Sequence, residues 1–339
     1  MDIQTSDFDY TLPDMAIAQE AIEPRDAARL LLVDGLEDRH FAELPSILSS
    51  GDLLVVNETK VRSARLMGTR RPGGGRTEVL LTQRVDPERW RALVRPANKL
   101  GAGSIVDCGA IEIRLLTEPE NGVVTVCVEA AGDVETAIEE SGTLPLPPYF
   151  HGDLADSSRY QTMFATNLGS SAAPTAALHF TPALITRLRS RDITVVAVNL
   201  EVGIDTFRPM SDGYVMDHVI HTERIDVSER AVEAVAQARD RGGKVVAVGT
   251  TVVRALESTS RTDGTISAYN GPTDLFIAPG YQPGVVDAMI TNFHAPRTTL
   301  LVMLAAFMGE RWREAYTHAL DRGYRFLSFG DAMYLEIDR

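Results

Sequence analysis

Cysteine is almost absent from this chain of 339 residues: Cys108 and Cys127 are the only two. So placed, they form neither a disulfide framework nor a metal-ligand spacing, a pattern that fits a reducing compartment. Long apolar runs are absent too. The longest, TTLLVMLAAFM at 298–308, is too short to span a bilayer and reads as a buried helix. The opening stretch MDIQTSDFDY is acidic and lacks the apolar core of an export signal, so a cytoplasmic location and no membrane partner are expected. Positive charge is in deficit. A net charge of −14 weighs against broad, nonspecific nucleic-acid binding, though not against a local basic cleft. No G-x-G-x-x-G follows a strand and no G-x-x-x-x-G-K-[ST] occurs, which sets aside the standard nucleotide loops. The missing G-x-S-x-G disfavours a serine hydrolase.

What remains is an ordinary globular mix, 44% hydrophobic and 24% charged, which argues against disorder. The length suits one large domain plus something smaller. Residues 1–58 carry a helical stretch near 14–19, an apolar strand (LLLVD), a turn and helix, and a second strand (DLLVVN). From about 60 to 140 the texture changes to short alternating or apolar runs separated by Gly, Pro and Asn turns, the spacing of a small antiparallel barrel or sandwich. The PGGG before RTEVLLTQ reads as a hairpin turn. LPLPPYF at 144–150 is a stiff, proline-rich return point. From 170 onward strands alternate with helices. TPALITRLRSRD has Thr181 as N-cap and Pro182 at the first helical position. ITVVAVNLEVG, KVVAVG and VVDAMITNFH are continuous apolar strands, and helices begin at SERAVEAVAQARDRGG, GTTVVRALES and RTTLLVMLAAFMG. Such strands between helices argue for an α/β fold with a mostly parallel sheet.

Ligands of open α/β sheets sit beyond the carboxyl ends of the strands. Four polar clusters fall at or near such ends: PTAALHF at 174–180, NLEVGIDTF at 199–207, GTTVVR at 249–254 and TNFHAP at 291–296. A helix starting at Thr250 or Thr251 aims free amides and hydroxyls at an anion or carboxylate. Read blandly, the same stretch is a Thr N-cap followed by an Arg254–Glu257 ion pair one turn apart. The segment DHVIHTER holds two of the chain's seven histidines, His218 and His221, with Glu223 close by. Their i, i+3 spacing, the lack of HExxH and the absence of a nearby cysteine make metal the weaker reading, so no metal is expected. A lone His179 or His294 is more often a satisfied structural histidine. Several histidines at the strand ends of one sheet are harder to dismiss, because imidazole titrates near neutral pH. Arg62, Arg65, Arg70, Arg71, Arg76, Arg84, Arg89, Arg91, Arg95 and Lys99 crowd one segment, as a balancing basic face or a polyanion contact.

These stretches together resemble a known family, the S-adenosylmethionine:tRNA ribosyltransferase-isomerases, which form epoxyqueuosine in tRNA. The matching motifs run nearly the whole chain. They begin with FDYTLPDMAIAQ, EPRDAARLL and GDLLVVNETKVRSARLMG. LPLPPYF, RYQTMFA, AAPTAALHF, VGIDTFRP, HVIHTE, GTTVVRALES and TDLFIAPGY follow, and VDAMITNFHAPRTTLLVMLAAFMG and YRFLSFGDAM close the series. The resemblance implies a discontinuous α/β domain (1–58 and 145–339) interrupted by an inserted β-barrel (59–144). It also implies that S-adenosylmethionine serves as a substrate whose ribosyl group is moved. The implied acceptor is the aminomethyl group of 7-aminomethyl-7-deazaguanine in a tRNA anticodon loop, with adenine and methionine released. On that reading His179, His218, His221, His294, Glu223 and Glu201 supply acid–base or orienting groups. Thr175, Thr250, Thr251, Arg254, Asn292 and Asp331 hold the donor, and basic residues of 60–100 hold the tRNA. His218, His221 and Glu223 are expected to face the same cleft as His179, His294 and the GTT turn.

The chain departs from the family's L-H-V-G-x-G-T-F, placing Glu201 at the histidine and Asp205 at the second glycine, and it has Ala177 where P-T-A-G-L-H-F has glycine. A lost glycine can close space beside a ligand. New acids attract a cation and repel phosphate. Two further readings therefore stand beside the first: a divergent enzyme using a small-molecule amine acceptor, and a noncatalytic S-adenosylmethionine- or RNA-binding protein.

Overall fold

The structure is a computed structural model and describes residues 2–151, 154, 156–203 and 208–337. It divides into two compact units: Met1–Thr59, Pro147–Asn167 and Ala173–Arg339 form the first, Lys60–Leu146 and Leu168–Ala172 the second. No helix among the described residues is long and apolar enough to cross a membrane.

The strands in chain order begin with β1 (Arg29–Leu32), β2 (Glu37–His40) and β3 (Leu53–Asn57). The short β4 (Thr59–Val61) pairs with β11 (Asn167–Ser170). Between them come β5 (Arg65–Arg71), β6 (Arg76–Arg84), β7 (Arg89–Arg95), β8 (Ile105–Asp107), β9 (Ile111–Leu115) and β10 (Val123–Ala130). The chain continues with β12 (Thr194–Leu200), β13 (Glu223–Val227), β14 (Val245–Val248), β15 (Tyr269–Thr273), β16 (Ala288–Asn292) and β17 (Ala332–Glu336). The helices are α1 (Leu44–Ile47), α2 (Val134–Ser141), α3 (Pro182–Arg189), α4 (Glu229–Asp240), α5 (Thr250–Ser258), α6 (Thr299–Met308) and α7 (Arg311–Asp321).

In the first unit nine strands make one sheet in the order β15-β13-β12-β3-β14-β16-β17-β1-β2. The centre, β12-β3-β14-β16, is parallel, and β1 is parallel to β17. The remaining pairings are antiparallel, so the α/β sheet is mixed around a parallel middle. Every residue of β3, β14 and β16 is buried, as continuous apolar strands require. Parallel pairing gathers the carboxyl ends of these strands at one end of the sheet. The amino end of antiparallel β17 joins them there, because Asn292 stands opposite Ala332. One face is closed by a core cluster that includes Leu54, Val56, Val248, Ile290, Phe180 and Leu184.

Helix starts follow their residues. The hydroxyl of Thr181 accepts from the Leu184 amide at 3.1 Å, with Pro182 at the first helical position. Ser228 and Thr298 cap α4 and α6 in the same way. The helix expected near 14–19 is only a single 3-10 turn, Asp14–Ala16. Beyond it the chain is extended, since Ala18 donates to the Phe326 carbonyl and the Phe326 amide donates to Ala16. Strands β2, β13, β15 and β17 and helix α7 complete the unit outside the pattern read from the sequence.

The second unit is a closed antiparallel barrel of six strands, β10-β7-β6-β5-β8-β9, with β9 returning to β10. The PGGG stretch is the β5–β6 turn, where the Arg70 amide donates to the Gly75 carbonyl. Many of its basic residues are already paired. Arg62 and Arg84 share Glu135, Arg65 pairs with Glu78, Arg71 with Asp107 and Arg89 with Asp86. Arg76, Arg91 and Arg95 are exposed and make no ion pair among the described residues.

The Gly242–Gly243 pair after α4 gives a direct stability test. Gly242 lies at φ +71 with open space around it, so Gly242→Ala costs only the left-handed backbone strain, about 1 kcal/mol. A Cβ on Gly243 would lie 2.1 Å from the Gly51 carbonyl oxygen, so Gly243→Ala must part main chain from main chain. Urea melts should show a clearly larger midpoint loss for Gly243→Ala. Equal midpoints would contradict this packing.

Candidate active site

Two adjoining cavities open at the carboxyl end of the sheet and share Thr250, Thr251 and Leu300 in their walls. The first spans about 580 Å³ and the second about 880 Å³, the open space at their mouths included.

The shared wall exists because β14 turns directly into α5. The cap of that helix is Gly249, at φ +92 and ψ 155, a conformation open only to glycine. Thr250 and Thr251 are therefore the first helical residues, and neither hydroxyl serves as the N-cap. Their amides have no intrahelical acceptor, which leaves a partial positive charge in the wall. Asn57, fully buried at the end of β3, holds this corner. Its Nδ2 donates to the Leu200 carbonyl at 3.0 Å and to Thr251 Oγ1 at 3.3 Å, and its Oδ1 accepts from the Leu200 and Thr59 amides.

The second cavity contains His218, His221, Glu223 and Arg254. The bland expectation of an Arg254–Glu257 pair is overturned. Glu257 turns to the 279–287 loop, accepting from the Gly284, Val285 and Val286 amides and the Tyr281 hydroxyl. Arg254 reaches instead to Glu223, forming an ion pair whose side chains are only 9% and 6% exposed. Glu223 Oε1 also accepts from the Gly203 amide, and Arg254 Nε donates to the Leu275 carbonyl at 3.1 Å. Arg254 Nη2 is buried and has no hydrogen-bond partner among the described residues. Burial, and to a lesser degree repulsion from nearby His221, holds the half-buried His218 below the usual imidazole pKa, with Phe276 packed edge-on against its ring.

The first cavity contains Thr175, Asn292 and His294. His294 follows Phe293, which is locked among Phe326, Tyr316 and Tyr324. The His294 amide donates to Tyr316 Oη at 2.8 Å, and its ring Nε2 lies 2.9 Å from Thr291 Oγ1. His179 borders a separate, smaller cavity of about 250 Å³ and meets the first only through its ring contact with Asn292. The histidines are thus distributed over three adjoining spaces, and the single cleft expected for them resolves into two cavities and a neighbour.

Three expected residues lie elsewhere. Asp331 is in neither wall. Its carboxylate accepts from the Arg29 and Arg325 amides and faces both guanidinium groups, so it clamps main chain. Glu201 is in neither wall, and its amide donates to the Arg224 carbonyl. Ala177 is fully buried in the core cluster, so its methyl fills core and closes no space beside a ligand. Asp205 lies outside the described residues.

Residues that pattern reading missed include Asn57, Arg208, Ser328 and Tyr149. Asn57 carried a signal, a polar residue closing the apolar run DLLVVN. Tyr149 was hidden in a stretch read only as a hinge. Its hydroxyl lies 2.5 Å from Ser328 Oγ, and burial pushes its pKa up to about 12.

Burial also holds His179 near a pKa of about 4 and His294 near about 3, so both are neutral at pH 7. The unfolded chain protonates these rings near pH 6.5. It therefore binds more protons than the folded chain below that pH, and stability falls as pH drops from about 6.5 toward 4. Urea midpoints should be flat above pH 7 and decline below 6, and His294→Gln should make the decline shallower. An unchanged slope in that variant would contradict the burial of a neutral ring.

A family model described as queuosine biosynthesis protein matches residues 5–335. The chain is 46% identical to the S-adenosylmethionine:tRNA ribosyltransferase-isomerase of Moorella thermoacetica, covering 98% of this chain and 100% of that one. It is 45% identical to the enzyme of the same name from Pelotomaculum thermopropionicum, over 97% of this chain and 99% of that one. Among solved structures it resembles the S-adenosylmethionine tRNA ribosyltransferase of Thermotoga maritima, with TM-score 0.56, 36% identity, and coverage of 97% and 100%.

Proposed function

The chain belongs to the queuosine biosynthesis protein family, and on that premise we propose that it transfers and isomerises the ribosyl group of S-adenosylmethionine onto the aminomethyl group of 7-aminomethyl-7-deazaguanine in tRNA. Adenine and methionine leave. The observation that carries the reading of the site is Arg254, buried against Glu223 with its Nη2 unpartnered among the described residues.

A methionyl carboxylate meets what that corner lacks. It supplies acceptors for Arg254 Nη2 and a negative charge beside the first amides of α5. The second cavity is therefore assigned to the methionyl end of the donor, and the first to a base. The chemistry needs a base for the proton beside the sulfonium, a neutral acceptor amine and a donor for departing adenine. His218 and His221 are the histidines in the wall of the second cavity. The ring of His218 is neutral at pH 7 and free to accept a proton. His294, held deeper and drier, acts through hydrogen bonding rather than as a cation. Glu223 keeps Arg254 in place.

The acceptor base lies in the single-stranded anticodon loop, where its edges are readable without opening a duplex. Arg76, Arg91 and Arg95 of the barrel, without acidic partners among the described residues, are the proposed phosphate contacts. Their already paired neighbours contribute less.

Three measurements test this. Mass spectrometry should find the epoxycyclopentanediol adduct on tRNA carrying the aminomethyl base, with adenine and methionine released. Equal consumption of S-adenosylmethionine without RNA would overturn the reading. Arg254→Lys preserves a charge for Glu223 but loses the planar fork, so KM for S-adenosylmethionine should rise about 10- to 100-fold with KM for tRNA little changed. The double variant Arg91→Ala/Arg95→Ala should raise KM for tRNA alone and flatten its salt dependence by about one unit per lost phosphate contact. A salt slope equal to that of the unaltered protein would rule out this face.

A further inference from the structure

A chain of hydrogen bonds behind the first cavity fixes the proton order at Thr175. His179 Nε2 faces Asn292 Nδ2 at 3.5 Å. The same Asn292 nitrogen lies 3.4 Å from the Asp331 carbonyl, a pure acceptor, which fixes it as the donor end of the amide, so His179 Nε2 accepts from it. Asn292 Oδ1 is thereby turned to Thr175, whose Oγ1 lies 2.8 Å away. An amide oxygen donates nothing, so the single hydroxyl proton of Thr175 points at Asn292. What Thr175 offers the first cavity, whose wall it helps form, is lone pairs alone.

We infer that Thr175 determines specificity in the first cavity by accepting an N–H from a purine-type base and rejecting an edge that presents only acceptors. This rests on the function proposed above and names which edge the cavity reads. Two bases of the reaction carry such a donor: adenine through its 6-amino group, and the deazaguanine through its N1–H and 2-amino groups. His179 and Asn292 are positioning residues that act through Thr175.

The test compares Thr175→Val, which keeps the shape and loses the acceptor, with Thr175→Ser, which keeps the hydroxyl. Product formation by the unaltered protein tests the function itself, whereas the ratios among variants test Thr175. Thr175→Val should raise KM about three- to tenfold for one substrate only, and Thr175→Ser should restore it. A rise for S-adenosylmethionine places adenine in the cavity, and a rise for tRNA places the deazaguanine there. A donor analogue built on purine without the 6-amino group supplies the cross-check. If adenine occupies the cavity, that analogue should bind the unaltered protein more weakly than S-adenosylmethionine by the same factor, and Thr175→Val should bind the two alike. The inference is overturned if neither KM moves in Thr175→Val, or if Thr175→Ser loses as much as Thr175→Val.

Discussion

The site depends on one buried ion pair, Glu223 with Arg254. Taking two charges out of water costs several kcal/mol per ion before their attraction and hydrogen bonds offset it, so such a pair is poor evidence of stability for its own sake. Its partners give it a different role. Glu223 begins β13 and takes the Gly203 amide, and Arg254 comes from α5 and donates to the Leu275 carbonyl. The pair therefore ties the end of β12, the start of β13, the segment after β15 and the first helix beyond β14 into one wall. Arg254 Nη2 remains buried without a hydrogen-bond partner among the described residues, and an unsatisfied buried donor is a standing cost that an anionic ligand would remove.

Around that wall the histidines divide by environment rather than by sequence. His179 and His294 are fully enclosed, and both are held neutral. They order hydrogen bonds, and the Thr175 hydroxyl inherits its direction from such order. His218 is less enclosed, so a change of protonation there is cheaper than at the two buried rings. A reaction that requires a base, a neutral amine and a protonated leaving group is served by such a gradient, from dry and fixed to wet and titratable.

Much of this was legible in the residues. Thr181–Pro182 and Ser228 announced two helices through side chains that cap them, and the apolar runs of β3, β14 and β16 announced strands buried on both faces. The polar residues just past those runs marked the ligand end of the sheet. Other elements left no such signal. EDRH of β2 is charged and exposed throughout, and β15 reads YNGPT, a turn-like string that forms a strand only because it sits at a sheet edge. The 14–19 segment was captured by main-chain bonds to Phe326. Side-chain partnership was the least legible level. Helical spacing pointed Arg254 to Glu257, but tertiary contacts sent the two to different loops, and neither Ala177 nor Glu201 proved to line the cavities.

The central claim is that Arg254 binds the carboxylate of S-adenosylmethionine, and removing either partner of that contact tests it most directly. Calorimetry would measure the affinities of S-adenosylmethionine and of its decarboxylated form for the unaltered protein and for Arg254→Lys. On this account the lost carboxylate weakens binding to the unaltered protein by at least tenfold and has little effect once Arg254 is changed, a coupling that belongs to the pair. Equal losses from decarboxylation in both proteins would show that the carboxylate is held elsewhere.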